Sequence, residues 1–224
     1  MTPDVLYEDN HLLVVNKPAG YLVQGDKTGD EPLVEFYKAY LKEMYRKPGN
    51  VFLGVVHRLD RPVSGALIFA RTSKALERMN REFQDRAVQK TYWAIVQKRP
   101  PAESGTLEHY LIKDTQKNVV KAYDKPKGAA QKAVLHYKFL KEIGDDILLE
   151  INPVTGRPHQ IRVQLAKIGC PIKGDLKYGF PTPNDDGNIS LHSRSVTFVH
   201  PTTKEKMTVR ANVPKGWSLT RKIP

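Results

Sequence analysis

Hydrophobic positions recur along this chain at two spacings, every second residue and every third or fourth, which predicts strands and helices in turn. Val5-Leu6-Tyr7 and Leu12-Leu13-Val14-Val15 flank the turn residues Glu8-Asp9-Asn10 and read as a short strand pair ending at Lys17-Pro18-Ala19-Gly20. Leu33, Phe36, Tyr37, Tyr40, Leu41 and Met44 fall at helical intervals and predict a first helix from about Pro32 to Tyr45, one face in the core. Thr72-Ser73 supplies an N-cap for a second helix, whose Leu76, Met79 and Phe83 face inward while Lys74, Arg78, Arg81 and Arg86 lie on its polar side. Val88 to Val96 is rich in β-branched and aromatic residues and reads as a strand, broken at Arg99-Pro100-Pro101.

Ala133 to Leu140 and Ile147 to Ile151 predict a hairpin around Gly144-Asp145-Asp146. Pro158, Ile161, Leu165 and Ile168 mark a third helix, with Thr155 as its candidate N-cap and Gly169 as its stop. Strands near Ile189 to Phe198 and Met207 to Val213 follow, while Asp114 to Gln131, polar and Lys-rich, predicts a mobile surface excursion. These elements sum to an α+β fold in one piece, residues 1–224, with a mostly antiparallel mixed sheet and flanking helices.

With 224 residues, 40% of them hydrophobic, the chain can bury a sizeable core. No apolar run approaches the roughly 20 residues that span a bilayer, and MTPDVLYEDN is acidic where a signal peptide is basic. A cytoplasmic location is expected. The lone Cys170 excludes an internal disulfide and argues against structural zinc. Lys and Arg number 36 against 24 Asp and Glu, a formal charge of +12, which points either to a polyanionic partner or to a well-solvated basic surface.

The densest chemistry lies in Val55-Val56-His57-Arg58-Leu59-Asp60-Arg61-Pro62-Val63-Ser64-Gly65, where one carboxylate sits between two arginines as an apolar strand opens into a loop. Such an aspartate either ties a turn to backbone amides or, kept ionised by neighbouring cations, serves as a nucleophile. Thr155-Gly156-Arg157-Pro158-His159-Gln160-Ile161-Arg162 places two arginines at a helix start, either as an anion contact or as an ordinary amphipathic helix. Arg162 is expected to face inward and Arg157 solvent. Tyr92 shares a strand face with Lys90 and Ala94, where its ring either packs in the core or stacks on a base. The histidines show no metal-ligand spacing, and neither a P-loop nor GxGxxG follows a strand, so no metal and no nucleotide or nicotinamide cofactor is expected.

Together these stretches resemble the RluA branch of the pseudouridine synthases, enzymes that isomerise uridine within RNA. Leu12 to Gly20 is similar to the branch's opening segment, His57-Arg58-Leu59-Asp60 with Ser64-Gly65 to its HRLD motif, and Lys90-Thr91-Tyr92-Trp93-Ala94 to its K-x-Y-x-A strand. Thr155 to Val163 matches TGRxHQIRV, and Gly174-Asp175 with Tyr178-Gly179 matches GDxxYG. Leu191-His192 and Phe198 to Pro201 fit the last strands.

The resemblance implies catalytic roles for Asp60 as nucleophile, Tyr92 against the target base and Arg162 as the partner of Asp60. It implies that Arg58 fills the space left by a flipped nucleotide, with His57, Arg157, His159 and Gln160 as further contacts to RNA. The substrate is expected to be ribosomal or transfer RNA, the enzyme cofactor-free and monomeric, and the chain without the S4-type domain many members carry. Val63, Gln164 and Cys170 stand where the branch usually has Thr, His and His. A non-catalytic RNA-binding or ribosome-assembly protein of the same fold is the alternative, and a nuclease using His57 and His159 the other enzyme class.

Overall fold

A computed structural model describes residues 2–26 and 28–217. These residues form two compact units, one built from Met1–Gln89 and Ser193–Val213, the other from Lys90–His192 and Pro214–Pro224. None of their helices is long and apolar enough to cross a membrane.

In the first unit β1 (Val5–Glu8) pairs antiparallel with β2 (Leu12–Lys17), and β2 with β4 (Ser64–Ala70), in a register running from Leu12 opposite Ala70 to Lys17 opposite Gly65. The two-residue β3 (Gly54–Val55) also pairs with β4. Neighbouring β4 lies β10 (Leu191–Val199), which carries β11 (Lys206–Arg210) antiparallel on its other part. All seven residues of β4 are buried, because helices cover both faces. Helix α1 (Leu33–Met44) buries Leu33, Val34, Tyr37 and Leu41, with the Tyr37 ring 5.9 Å from that of Phe69. Helix α2 (Ser73–Gln84) drives Met79 into the cluster of Leu12, Val14, Ala66, Ile68, Val196 and Phe198. Thr72 caps α2 as expected, its side chain accepting from the Ala75 amide, a contact of about 1 kcal/mol.

The second unit is an antiparallel sheet in the order β5 (Gln89–Val96), β9 (Asp146–Pro153), β8 (Gln131–Ile143), β6 (Ser104–Asp114), β7 (Val119–Tyr123). Helix α3 (Gln160–Lys167) lies on it, placing Val163 against Leu111, Val120 and Ala133. The α+β expectation is met, with a largely antiparallel sheet.

Two local expectations are corrected. Residues 114–131 are no featureless excursion, since they contain β7, whose Val120 is 3% exposed in the core below α3. Nor does Thr155 cap α3. His159 occupies that position in a left-handed conformation (φ 50°), and buried Thr155 instead bonds the backbone of Val134 on β8.

Candidate active site

In the first unit the chain from His57 to Val63 links β3 to β4 as a tight loop, closed by the Val63 amide donating to the Asp60 carbonyl at 3.0 Å. Leu59 and Val63, 6% and 3% exposed, anchor the loop on either side of the half-buried Asp60. Gly65 lets the loop enter β4. Its φ of +114° suits glycine alone, and a Cβ there would lie 2.2 Å from the Ser193 carbonyl oxygen.

The underside of the loop rests on Lys17, the last residue of β2, which is wholly buried. Its Nζ donates to the carbonyls of Pro18 at 2.9 Å, Arg61 at 3.1 Å and Val63 at 2.8 Å. Three acceptors match the three protons of an ammonium, and the charge of Asp60 favours it too. Burial outweighs them and pulls the Lys17 pKa down to about 7, with the charge of Arg61 acting in the same direction.

Arg61 turns its guanidinium to the segment after β2. Its Nε donates to the Gly20 carbonyl at 2.9 Å and its Nη1 pairs with Asp30 at 2.7 Å, while the Gly20 amide returns a bond to the Arg61 carbonyl. Arg61 therefore straps the loop to the segment after β2. Arg58 is exposed. His57 faces the fold, its Nε2 accepting from the Ile68 amide at 3.1 Å and its ring stacked 4.9 Å from Phe83.

In the second unit Tyr92 is half-buried on β5, opposite Ile151 of β9. Arg162 projects from α3, is 5% exposed and meets Asp175 in two parallel bonds, Nε to Oδ2 at 2.7 Å and Nη2 to Oδ1 at 2.8 Å. This fork geometry fixes a guanidinium in orientation as well as charge. Its guanidinium carbon lies over the Tyr178 ring, 5.0 Å from the centroid. The Tyr178 hydroxyl accepts from the Val120 amide of β7 at 2.9 Å and lies 2.7 Å from His159 Nδ1. Because the phenol oxygen receives the amide proton, its own proton can go to the imidazole.

Gln160 is 4% exposed and is spent on structure. Its Oε1 accepts from the Arg157 amide and the Thr155 hydroxyl, and its Nε2 donates to the Val134 carbonyl. Arg157 is half-buried, its Nε donating to Lys132 O at 3.3 Å. Gln164, wholly buried, donates through Nε2 to Leu107 O and Ala133 O and lies 3.1 Å from His109 Nδ1, so α3 is fastened to both β6 and β8.

The structure thus groups His57, Arg58 and Asp60 on one loop of the first unit, and Arg157, His159, Gln160 and Arg162 around the start of α3 in the second. Sequence reasoning assigned no role to Lys17, Asp175 or Tyr178. A lysine closing a strand that opens with four apolar residues, and an acid and a phenol three residues apart before a turn, were the available signals.

The profile of the family described as RNA pseudouridylate synthase matches residues 11–167, a span that holds Asp60, Tyr92 and Arg162. The chain belongs to the RNA pseudouridylate synthases. Among curated members of this pseudouridylate synthase family, it is 32% identical over 213 residues to a ribosomal large subunit pseudouridine synthase C of Vibrio cholerae, covering 92% of this chain but 64% of that protein. It is also 32% identical over 237 residues to a tRNA pseudouridine synthase C of Haemophilus ducreyi, covering 98% of this chain and 94% of the relative. The chain therefore spans less than two thirds of the first relative's length and nearly all of the second's. Its fold matches the solved human RNA pseudouridylate synthase domain containing 4 with a TM-score of 0.79 at 24% identity, over 95% of this chain and 89% of that one. Asp175 and Tyr178, which hold Arg162, lie beyond the span matched by the synthase profile.

Proposed function

We propose that this chain isomerises uridine to pseudouridine in ribosomal or transfer RNA. The observation that carries the reading is the HRLD loop, an acid on a tight turn seated on a buried lysine, within the span matched by the synthase family. In the reaction the C1′–N1 bond breaks and a C1′–C5 bond forms. One proton leaves C5 and one is gained at N1, so no redox partner is required.

Asp60 is the carboxylate that acts at the sugar, either by adding to C1′ or by taking the proton that yields a glycal. Tyr92 packs against the target uracil and Arg162 serves the charge of Asp60. Arg58, exposed on the same loop, fills the space of the flipped nucleotide. Extruding that nucleotide costs roughly a few kcal/mol, recovered through stacking and phosphate contacts with a chain of net charge +12. Residues 1–224 act as one catalytic domain. The enzyme works as a cofactor-free monomer in the cytoplasm.

The test uses ribosomal and transfer RNA transcripts tritiated at uracil C5. Isomerisation releases tritium to water with the strand intact, whereas a nuclease shortens the strand and a simple binder does neither. Asp60→Asn is expected to lower release by at least about 1,000-fold, the scale of losing a covalent nucleophile, with RNA affinity little changed. Full turnover in that variant would exclude Asp60 as the nucleophile.

A further inference from the structure

The hairpin of β6 and β7 has two unlike faces. Leu111, Val120 and Ala133 point to α3 and are buried. The opposite face follows from the register: Tyr110 lies directly across from Tyr123 on one side and from Lys132 of β8 on the other, and Ile112 across from Lys121. Residues paired in this way share a face, so the two tyrosines, Ile112, Lys121 and Lys132 form one continuous strip. Both rings are half-buried, while Lys121 and Lys132 are exposed. Glu108 on this face is neutralised by Lys132 at 2.7 Å, and Asp114, two residues beyond Ile112, also lies on it.

The surroundings are cationic. Residues 113, 117, 121, 125 and 127 are all exposed lysines, and Lys127 holds its Nζ 4.6 Å from the centroid of the Tyr123 ring. Of the two acids in this stretch, Asp124 is taken by Lys167 at 3.0 Å and Asp114 binds the Lys117 amide. Aromatic residues on paired strands, bordered by lysines, are the composition that holds single-stranded nucleic acid, bases stacking on the rings and phosphates meeting the ammonium groups.

Building on the reading of this chain as an RNA enzyme, we propose that the outer face of the β6–β7 hairpin is a second RNA-binding surface, in which Tyr110 and Tyr123 stack unpaired bases and Lys121 and Lys127 hold their phosphates. Lys127, already over the Tyr123 ring, marks the place where a base enters, and on binding it moves from ring to phosphate.

The probe is a short fluorescein-labelled oligoadenylate, which lacks the uracil that the isomerase reaction needs, followed by fluorescence anisotropy across a salt series. Tyr110→Leu with Tyr123→Leu is expected to lower affinity at least about 30-fold, the low end of the range for losing two stacked bases. Binding of heparin, a polyanion without bases, is expected to stay unchanged. Lys121→Gln with Lys127→Gln is expected to reduce the slope of log affinity against log salt by about 1.4, as two lost phosphate contacts on a single strand require. Oligoadenylate affinity within twofold of the parent in the tyrosine variant, or equal loss of heparin, overturns the proposal. Should the tyrosine variant fail to fold, the exposed lysine pair decides, and an unchanged salt slope overturns the proposal. A parent protein that binds oligoadenylate in this way yet releases no tritium from uridine RNA leaves this surface standing and removes the isomerase reading instead.

Discussion

The Asp60 loop and the Arg162 cluster are held in opposite ways. The loop is fastened through its main chain, with Lys17 reaching under it to the carbonyls of Pro18, Arg61 and Val63. The arginine is fastened through side chains, by the Asp175 carboxylate and the Tyr178 ring. A main-chain cradle constrains the path of the loop but leaves its outward side chains free to vary, which suits a segment that must present an acid to a bulky substrate. A side-chain clamp fixes one functional group and makes each of its partners indispensable.

The largest effect is expected where the clamp loses its charge. Asp175→Asn leaves the guanidinium of Arg162 buried opposite a neutral amide and should destabilise the protein by about 3–5 kcal/mol, as breaking a buried pair does. Urea denaturation measures this, and a loss below 1 kcal/mol would show that Asp175 is not the clamp.

Lys17→Met should cost about 2–3 kcal/mol. The Arg61 carbonyl keeps its bond from the Gly20 amide, while those of Pro18 and Val63 lose the Lys17 donor, and relief from burying an ammonium offsets part of the loss. Turnover is expected to fall further than stability alone explains, because the loop bearing Asp60 loosens. A variant as active as its parent would remove the cradle from the comparison.

Tyr178→Phe keeps the ring over Arg162 but deletes the hydroxyl that joins β7 to His159. A loss of about 1–2 kcal/mol is expected, with kcat little altered if the clamp depends on the ring alone. A fall in kcat as large as that of Arg162→Ala would place the hydroxyl within the chemistry.

A pH dependence also separates the two regions. The Lys17 pKa is lowered from 10.5 to about 7 in the folded chain, so between those values the unfolded state binds more protons. Stability from this group therefore rises as pH increases from about 7 toward 10.5, and is flat below 7. Denaturant midpoints of the parent and Lys17→Met should diverge across that window, the parent gaining with pH. Parallel curves would mean that the three carbonyls hold the ammonium charged throughout.

What could be read from sequence follows from how each region is built. The strands β1 and β2 and the helices α1 and α2 were legible because their apolar spacing is unbroken, and Thr72 announced its own cap. Strand β6 was not, because His109 takes an inward position between Leu107 and Leu111 and interrupts the apolar rhythm; its 6% exposure is sustained by Gln164. Strand β7 was hidden among lysines, since only Val120 of its five residues is buried. Within the candidate site the acid, the strand tyrosine and the helix arginine stood out through motifs. Lys17 did not, because lysine at a strand end ordinarily reaches solvent, and only the fold turns it inward. Gln160 stood out through its motif as well, but its bonds to Thr155, Arg157 and Val134 are visible only in the fold.

The bond from Val120 to Tyr178 also bears on how the protein avoids unwanted association. Strand β7 is the outermost of its sheet, and an outermost strand offers a row of backbone donors to any extended chain that drifts past. Here one of those donors is capped by a phenol, and the strand carries Lys121 and is flanked by Lys117 and Lys125. The tyrosine that steadies Arg162 on one side thus closes a sheet edge on the other, so losing its hydroxyl invites aggregation through β7.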